Sequence, residues 1–212
     1  RLRGEDVREG DLIGHAGELL SPGHLALLGS CGLVAVRVHH RPIIGLLATG
    51  NELREAGATL EPGEIFESNR QTIARLVQAS GAQSRIYPLV PDTLDDTVAA
   101  LKAAFTECDA VVTSGGVSVG EHDYVKAAFE ELGGTLDFWK VRMKPGKPFV
   151  CGRLDDRILF GLPGNPVAVM VTFLQFVQPL LRRLQGEYAW QPTRWSAIAD
   201  EAMRSRSGRV DF

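Results

Sequence analysis

From Ile43 onward the chain alternates apolar runs with helical repeats, and this alternation restricts its fold more than any other feature. Ile43 to Ala48 is a continuous apolar run, the pattern of a strand covered on both faces. Ser68-Asn69-Arg70-Gln71 opens a helix as a capping box, Ile73, Leu76 and Val77 form its apolar stripe, and Gly81 closes it. Arg85 to Val90 is a second strand. Leu94, Val98, Leu101 and Phe105 then recur at helical spacing behind Thr93, a good N-cap. Ala110 to Thr113 is a third buried strand, followed by a Ser/Gly loop and a helix carrying Val125, Phe129 and Leu132. Strand material returns at Thr135 to Met143, Pro148 to Gly152 and Ile158 to Phe160, before a long apolar helix from Pro166 to about Leu184. The pattern predicts an α/β fold with a doubly wound, mainly parallel sheet and right-handed crossovers. In such sheets ligands bind beyond the carboxyl ends of the strands, so the loops at those ends are the ones to examine for chemistry.

Residues 1–40 read as a linking segment, with a short helix over Pro22 to Cys31 and a strand-like Leu33 to Val38. Residues 41–186 form the α/β domain, and 187–212, ending in the strand-like Arg209 to Phe212, read as the start of a C-terminal β domain. With no initiating Met, the chain is expected to be part of a longer protein. A formal net charge of −3 argues against a broad electrostatic claim on nucleic acid or an anionic membrane. The long helix is apolar enough to raise the question of a bilayer, but Thr172, Gln175, Gln178 and Pro179 interrupt it, and a buried helix is expected. Cys31, Cys108 and Cys151 make no CxxC, which points away from zinc and from a disulfide framework. Scattered thiols and the lack of a signal or transit pattern lead to the expectation of a cytoplasmic protein.

Each strand end carries something unusual. Thr49-Gly50-Asn51-Glu52-Leu53 follows the first, Pro91-Asp92-Thr93 the second, and a Ser/Gly loop ending in Glu121-His122-Asp123-Tyr124 the third. Glu52, Asp92 and Asp123 are therefore expected on one crevice, where clustered carboxylates need a cation or a shared proton. Hard oxygen ligands without His or Cys favour Mg2+. Singly, Asp92 also suits a residue preceding a helix cap and Glu52 a solvated loop acid. The Ser114-Gly115-Gly116-Val117-Ser118-Val119-Gly120 loop has backbone N–H groups suited to a phosphate, or is a tight turn needing Gly. It matches neither Walker A nor GxGxxG. Along Asp137 to Pro148, strand periodicity puts Lys140, Arg142 and Lys144 on one face and Trp139, Val141 and Met143 on the other. Such a cationic row suits an anion, and equally an edge strand guarded against aggregation. Asn165 and Pro166 are accounted for as the N-cap and first residue of the long helix.

Thr49 to Leu53, Glu67-Ser68-Asn69, the run TSGGVSVGEHDY from Thr113, the run FWKVRMKPGKP from Phe138 and GLPGNP from Gly161 together resemble the signature segments of bacterial molybdopterin molybdotransferases, found also in the E domain of gephyrin. The resemblance runs in order from Gly4-Glu5-Asp6 to Leu184. It implies the molybdenum cofactor biosynthesis fold and a transferase that inserts molybdate into adenylylated molybdopterin with Mg2+-dependent release of AMP. It implies catalytic roles for Asp6, Lys140 and Lys144. Substrate binding falls to Ser114, Gly115, Gly116, Ser118, Gly120, Pro163, Gly164 and Pro166, and the metal to Glu52, Asp92 and Asp123. It also implies a homodimer and contact with the pterin adenylyltransferase of the preceding step. The chain departs from the family at Asn51, where Asp is commoner. The alternative is a non-catalytic pterin-binding or scaffolding module of the same fold.

Overall fold

The structure, a computed structural model, describes residue 2 and residues 4–117, 124–203 and 205–212. Its centre is a six-stranded sheet in the order β4 (Gln83–Ile86), β1 (Ile43–Ala48), β5 (Ala110–Ser114), β9 (Arg157–Leu162), β8 (Val150–Leu154), β6 (Thr135–Trp139). The first four run parallel, and β8 is antiparallel to both of its neighbours. Strand β6 therefore points the same way as β1, β5 and β9. A short parallel pair, β2 (Leu53–Arg54) and β3 (Ile65–Phe66), and a second parallel pair, β7 (Met143–Lys144) and β10 (Val210–Asp211), complete the strands among the described residues.

The continuous apolar runs are explained by helices on both faces. Ile44 and Leu46 of β1, Ala110 and Val112 of β5, and Phe160 and Leu162 of β9 bury one face of the sheet against α2 (Asn69–Ala79) and the long C-terminal helix. The alternate residues Leu47, Val111 and Leu159 bury the other face against α3 (Leu94–Glu107) and α4 (Tyr124–Glu131). Truncating a fully buried leucine such as Leu46 or Leu159 in such a core costs about 2–5 kcal/mol.

The long helix runs as α5 (Pro166–Thr172), a π-helical turn (Phe173–Val177) and α6 (Gln178–Leu184). Pro179 has no N–H and its ring would clash with the carbonyl of Gln175, so the widened turn lies where the strain falls. Its 19 residues are long and apolar enough to cross a membrane. Val169, Phe173, Val177 and Leu181 are fully buried on the sheet, which makes it a core helix, while Val167, Met170 and Leu174 stay exposed.

Three sequence expectations need correction. Ser68 precedes α2 but makes no side-chain cap; Glu67 Oε1 instead accepts the Arg70 N–H at 2.8 Å. Leu33 to Val38 is not a strand, because no neighbouring strand pairs with it among the described residues. The run from Thr135 to Met143 breaks at Lys140, whose φ of 70° ends β6. The strand-like Arg209 to Phe212 does form β10, and it pairs with the Lys144 segment.

Candidate active site

Winding reverses at β1: the chain crosses to β4 on one side and to β5 on the other. The crevice beyond the carboxyl ends of β1 and β5 is therefore the expected ligand position. Here the Thr49 N–H donates to the Ser114 carbonyl at 3.3 Å, and the Gly115 N–H to the Leu162 carbonyl at 3.2 Å, drawing three strand-end loops together. Gly115 and Gly116 adopt φ of 83° and 64°. A Cβ on the first would stand 2.8 Å from the Thr49 carbonyl oxygen, and on the second 2.6 Å from Thr49 Oγ1. Conformation and close approach both demand glycine at these two positions.

Asn69, at the start of α2, ties the loops together. Its Nδ2 donates to Ser114 Oγ and to the Gly164 carbonyl, each at 2.8 Å. Asn165 accepts the Val167 and Ala168 N–H groups at 3.0 and 3.3 Å, so the loop bearing Gly164 is fixed by the cap of α5. Between these loops lies a cleft of about 230 Å3, lined also by Glu52, Phe66 and Pro166. Thr49 Oγ1 and Asn69 Oδ1, on residues that line it, are buried without a hydrogen-bond partner among the described residues. A buried polar atom left so costs about 1–3 kcal/mol, which a polar ligand or water can offset. A larger cavity of about 610 Å3 lies between the N-terminal segment and α6, near His15, His24, His39 and His40; none of the predicted site residues lines it.

The loop that bears Glu52 is held to the Asp92 loop by a reciprocal contact. Asp92 Oδ2 accepts the Asn51 N–H at 3.2 Å, and Asn51 Oδ1 accepts the Asp92 N–H at 3.1 Å. Beside them Glu52 folds back over Gly50, where a Cβ would meet its Oε2 at 2.8 Å. Glu52 and Asp92 thus stand on adjoining loops at one end of the sheet. Asp123, with Ser118, Gly120 and His122, lies outside the described residues. Among the described residues no three His, Cys, Asp or Glu side chains are grouped to hold a metal. Mg2+ keeps several waters and is commonly held by one or two carboxylates plus substrate phosphate, so oxygen donors such as Glu52 and Asp92 suit its chemistry.

Sequence reasoning passed over the groups that brace this side. Arg70 is 3% exposed and donates from Nε to Glu67 at 2.7 Å, from Nη2 to Glu55 at 2.7 Å and from Nη1 to the Tyr87 carbonyl at 2.5 Å. Burial works against its charge, but the bonds to Glu55 and Glu67 outweigh burial and raise its pKa above the ordinary arginine value. One guanidinium thereby fastens α2 to the β2–β3 segment and to the end of β4. Glu67 and Asn69 belong to a segment already singled out as a signature; neither their periodicity nor their spacing reveals these partners.

On the far side of the sheet, Lys140 and Lys144 are exposed, but not on one regular strand. Lys140 donates its backbone N–H to the Phe149 carbonyl at 2.9 Å, and its Nζ lies 4.2 Å from the centroid of the Trp139 ring. An exposed cation–π contact of this kind is worth about 0.5–1 kcal/mol, little enough for an anion to displace. Trp139, expected on the opposite face, is 43% exposed and shares the side of Lys140. Gly146 packs the following loop onto α5: a Cβ there would meet Thr172 Cγ2 at 2.5 Å. Pro163 is buried behind the cleft, Gly164 and Pro166 line it, and Asp6 sits at an exposed bend and does not line it.

Comparison with known proteins agrees with this fold. Residues 45–183 match the family model described as a probable molybdopterin binding domain. The molybdopterin molybdenumtransferase of Haemophilus influenzae is 43% identical over 213 residues, covering 100% of the chain and 52% of that protein. That of Bacillus subtilis is 38% identical over 179 residues, covering 84% of the chain and 42% of that protein. The crystal structure of the MoeA molybdopterin biosynthesis protein of Pyrococcus horikoshii superposes with a TM-score of 0.78 at 31% identity, over 87% of the chain and 46% of that structure. The chain thus spans about half the length of the curated relatives it matches. It belongs to the molybdopterin-binding domain family, of the type carried by the molybdopterin molybdenumtransferases.

Proposed function

We propose that this chain carries the substrate-binding α/β core of a molybdopterin molybdotransferase, which inserts molybdate into adenylylated molybdopterin and releases AMP. The observation that supports the reading is the cleft at the reversal of the sheet, lined by Glu52, with Asp92 on the adjoining loop and exposed lysines beyond the carboxyl end of β6 at the same end of the sheet. The Ser114-Gly115-Gly116 turn and the Gly164-Pro166 edge bind the adenylylated substrate, and Thr49 Oγ1 and Asn69 Oδ1 offer it polar contacts. Lys140 and Lys144 attract the molybdate dianion and hold it near the pterin sulfurs. Glu52 and Asp92 would hold Mg2+, which when bound neutralises negative charge developing on the phosphate linkage. The parent protein is read as a homodimer that receives its substrate from the pterin adenylyltransferase.

The test is AMP release by the full-length protein from adenylylated molybdopterin. Release is expected only with molybdate and Mg2+ together. A protein that binds the substrate tightly and releases no AMP under those conditions would be a non-catalytic carrier instead.

A further inference from the structure

We infer that Lys126 is a second anion-binding cation: with Lys140 it forms, on the indole ring of Trp139, a two-ammonium seat for a tetrahedral oxyanion dianion. The inference rests on the proposed reading of Lys140 and adds a residue to it.

The two ammonium groups lie on one ring, Lys126 Nζ 4.4 Å and Lys140 Nζ 4.2 Å from its centroid. The ring's π-electrons attract each, and two like charges gathered about one ring repel one another. Glu130 Oε1, one turn along α4, is 3.9 Å from Lys126, at the limit of an ion pair, and brings a single charge. No carboxylate pairs with Lys140 among the described residues. Among the described residues the pair therefore keeps one positive charge without a carboxylate partner, and an anion reaching both lysines would neutralise it.

Placement puts this charge at the same end of the sheet as the cleft, three strands from β5. Strand β6 runs parallel to β9, so Trp139 and Lys140 emerge from the sheet at the end occupied by the cleft. Helix α4 begins after the loop that follows β5, which sets Lys126, in its first turn, at that same end. Lys140 is also kept at φ 70°, a left-handed conformation unusual for a residue with a side chain. That conformation ends β6 next to the ring under Lys140, and such backbone outliers cluster at functional sites. Ammonium groups act as compact point charges suited to a tetrahedral oxyanion. Molybdate and the substrate's phosphate share that chemistry, and the experiment separates them.

Trp139 is the reporter. In full-length protein with every other tryptophan replaced by Phe, its emission is followed during titration with sodium molybdate and, separately, inorganic phosphate at matched ionic strength. A saturable change with either ion is expected, and the ion that produces it at lower concentration identifies the occupant. Lys126→Gln is expected to weaken that binding about tenfold, the cost of one charge-assisted contact. Lys126→Arg should recover much of the affinity, and circular dichroism should show both variants folded. Wild-type affinity in Lys126→Gln, or no response to either ion in the unmodified lysine pair, overturns the inference. Molybdate-dependent AMP release alongside Lys126-independent binding would sink this inference alone. Lys126-dependent binding without AMP release would sink the catalytic reading and leave the seat intact.

Discussion

Asn51 and Asp92 each donate a backbone N–H to the other's side-chain oxygen, at 3.2 and 3.1 Å, across 41 residues of sequence. The bond set needs an oxygen at both positions and a negative charge at neither. The Asn51 backbone N–H fixes the direction of the Asp92 carboxylate, and the neutral Asn51 side chain adds no second anion beside it. The departure from the family at this position is therefore compatible with the loop geometry.

Asn51→Ala removes the acceptor for the Asp92 N–H while leaving the fold intact. Mg2+ affinity is expected to fall several-fold as the backbone carrying Asp92 loses this tether, the bond from the Asn51 N–H to the Asp92 carboxylate being kept. Asn51→Asp keeps the acceptor and adds a charge, and is expected to bind Mg2+ more tightly than wild type. Calorimetric titration with MgCl2 measures both. Equal affinity in all three proteins would detach Asn51 and Asp92 from the metal.

Arg70→Ala should be among the most damaging single changes outside the apolar core. It leaves Glu67, whose side chain is 3% exposed, without its partner, and losing one member of a buried pair costs about 3–5 kcal/mol. Glu55 is 63% exposed, so Glu55→Gln should cost no more than about 1 kcal/mol. Urea unfolding of the two variants checks the contrast. Similar losses for both would show that burial is not what gives Arg70 its weight.

The Asp137–Arg153 pair should make the β6 edge sensitive to acid. Arg153 donates to Asp137 at 2.9 and 2.8 Å and holds its carboxyl below the usual carboxylate range. A depressed native pKa means that the unfolded chain takes up the proton first. The pair's contribution is thus present above about pH 4, the range of a free aspartate, and fades as pH falls through the lower native value. Asp137→Asn should be less stable than wild type at pH 7, and the two should converge in acid. Urea midpoints measured across that interval check it; a gap that persists at the lowest pH would contradict it.

What local pattern could reveal here, it revealed. Strands β1, β5 and β9 announce themselves as apolar runs because both faces are covered, and Thr93 and Asn165 cap their helices as their chemistry predicts. The strand-end loops follow from the alternation alone. The brace of the site does not, since Arg70 meets Glu55 and Tyr87, and Asn69 meets Ser114 and Gly164, through contacts that no period encodes. Leu33 to Val38 has the composition of a strand, but a strand exists only where another pairs with it. Lys140 was placed by strand alternation, and its left-handed backbone cancels that alternation at the residue where it mattered.

The double hydrogen bond of Asn69 has a consequence for when the cleft can form. Its two acceptors lie 45 and 95 residues further along the chain, so neither can be reached by a locally folded segment. Contacts of such long sequence separation form late, after the loop-closure entropy of the sheet has been met. A nascent or partly collapsed chain can hold β1, α2 and β4 and still have no cleft. The cleft comes into being only when β9 has docked beside β5, so a formed cleft is itself a signal that these strands of the sheet have assembled.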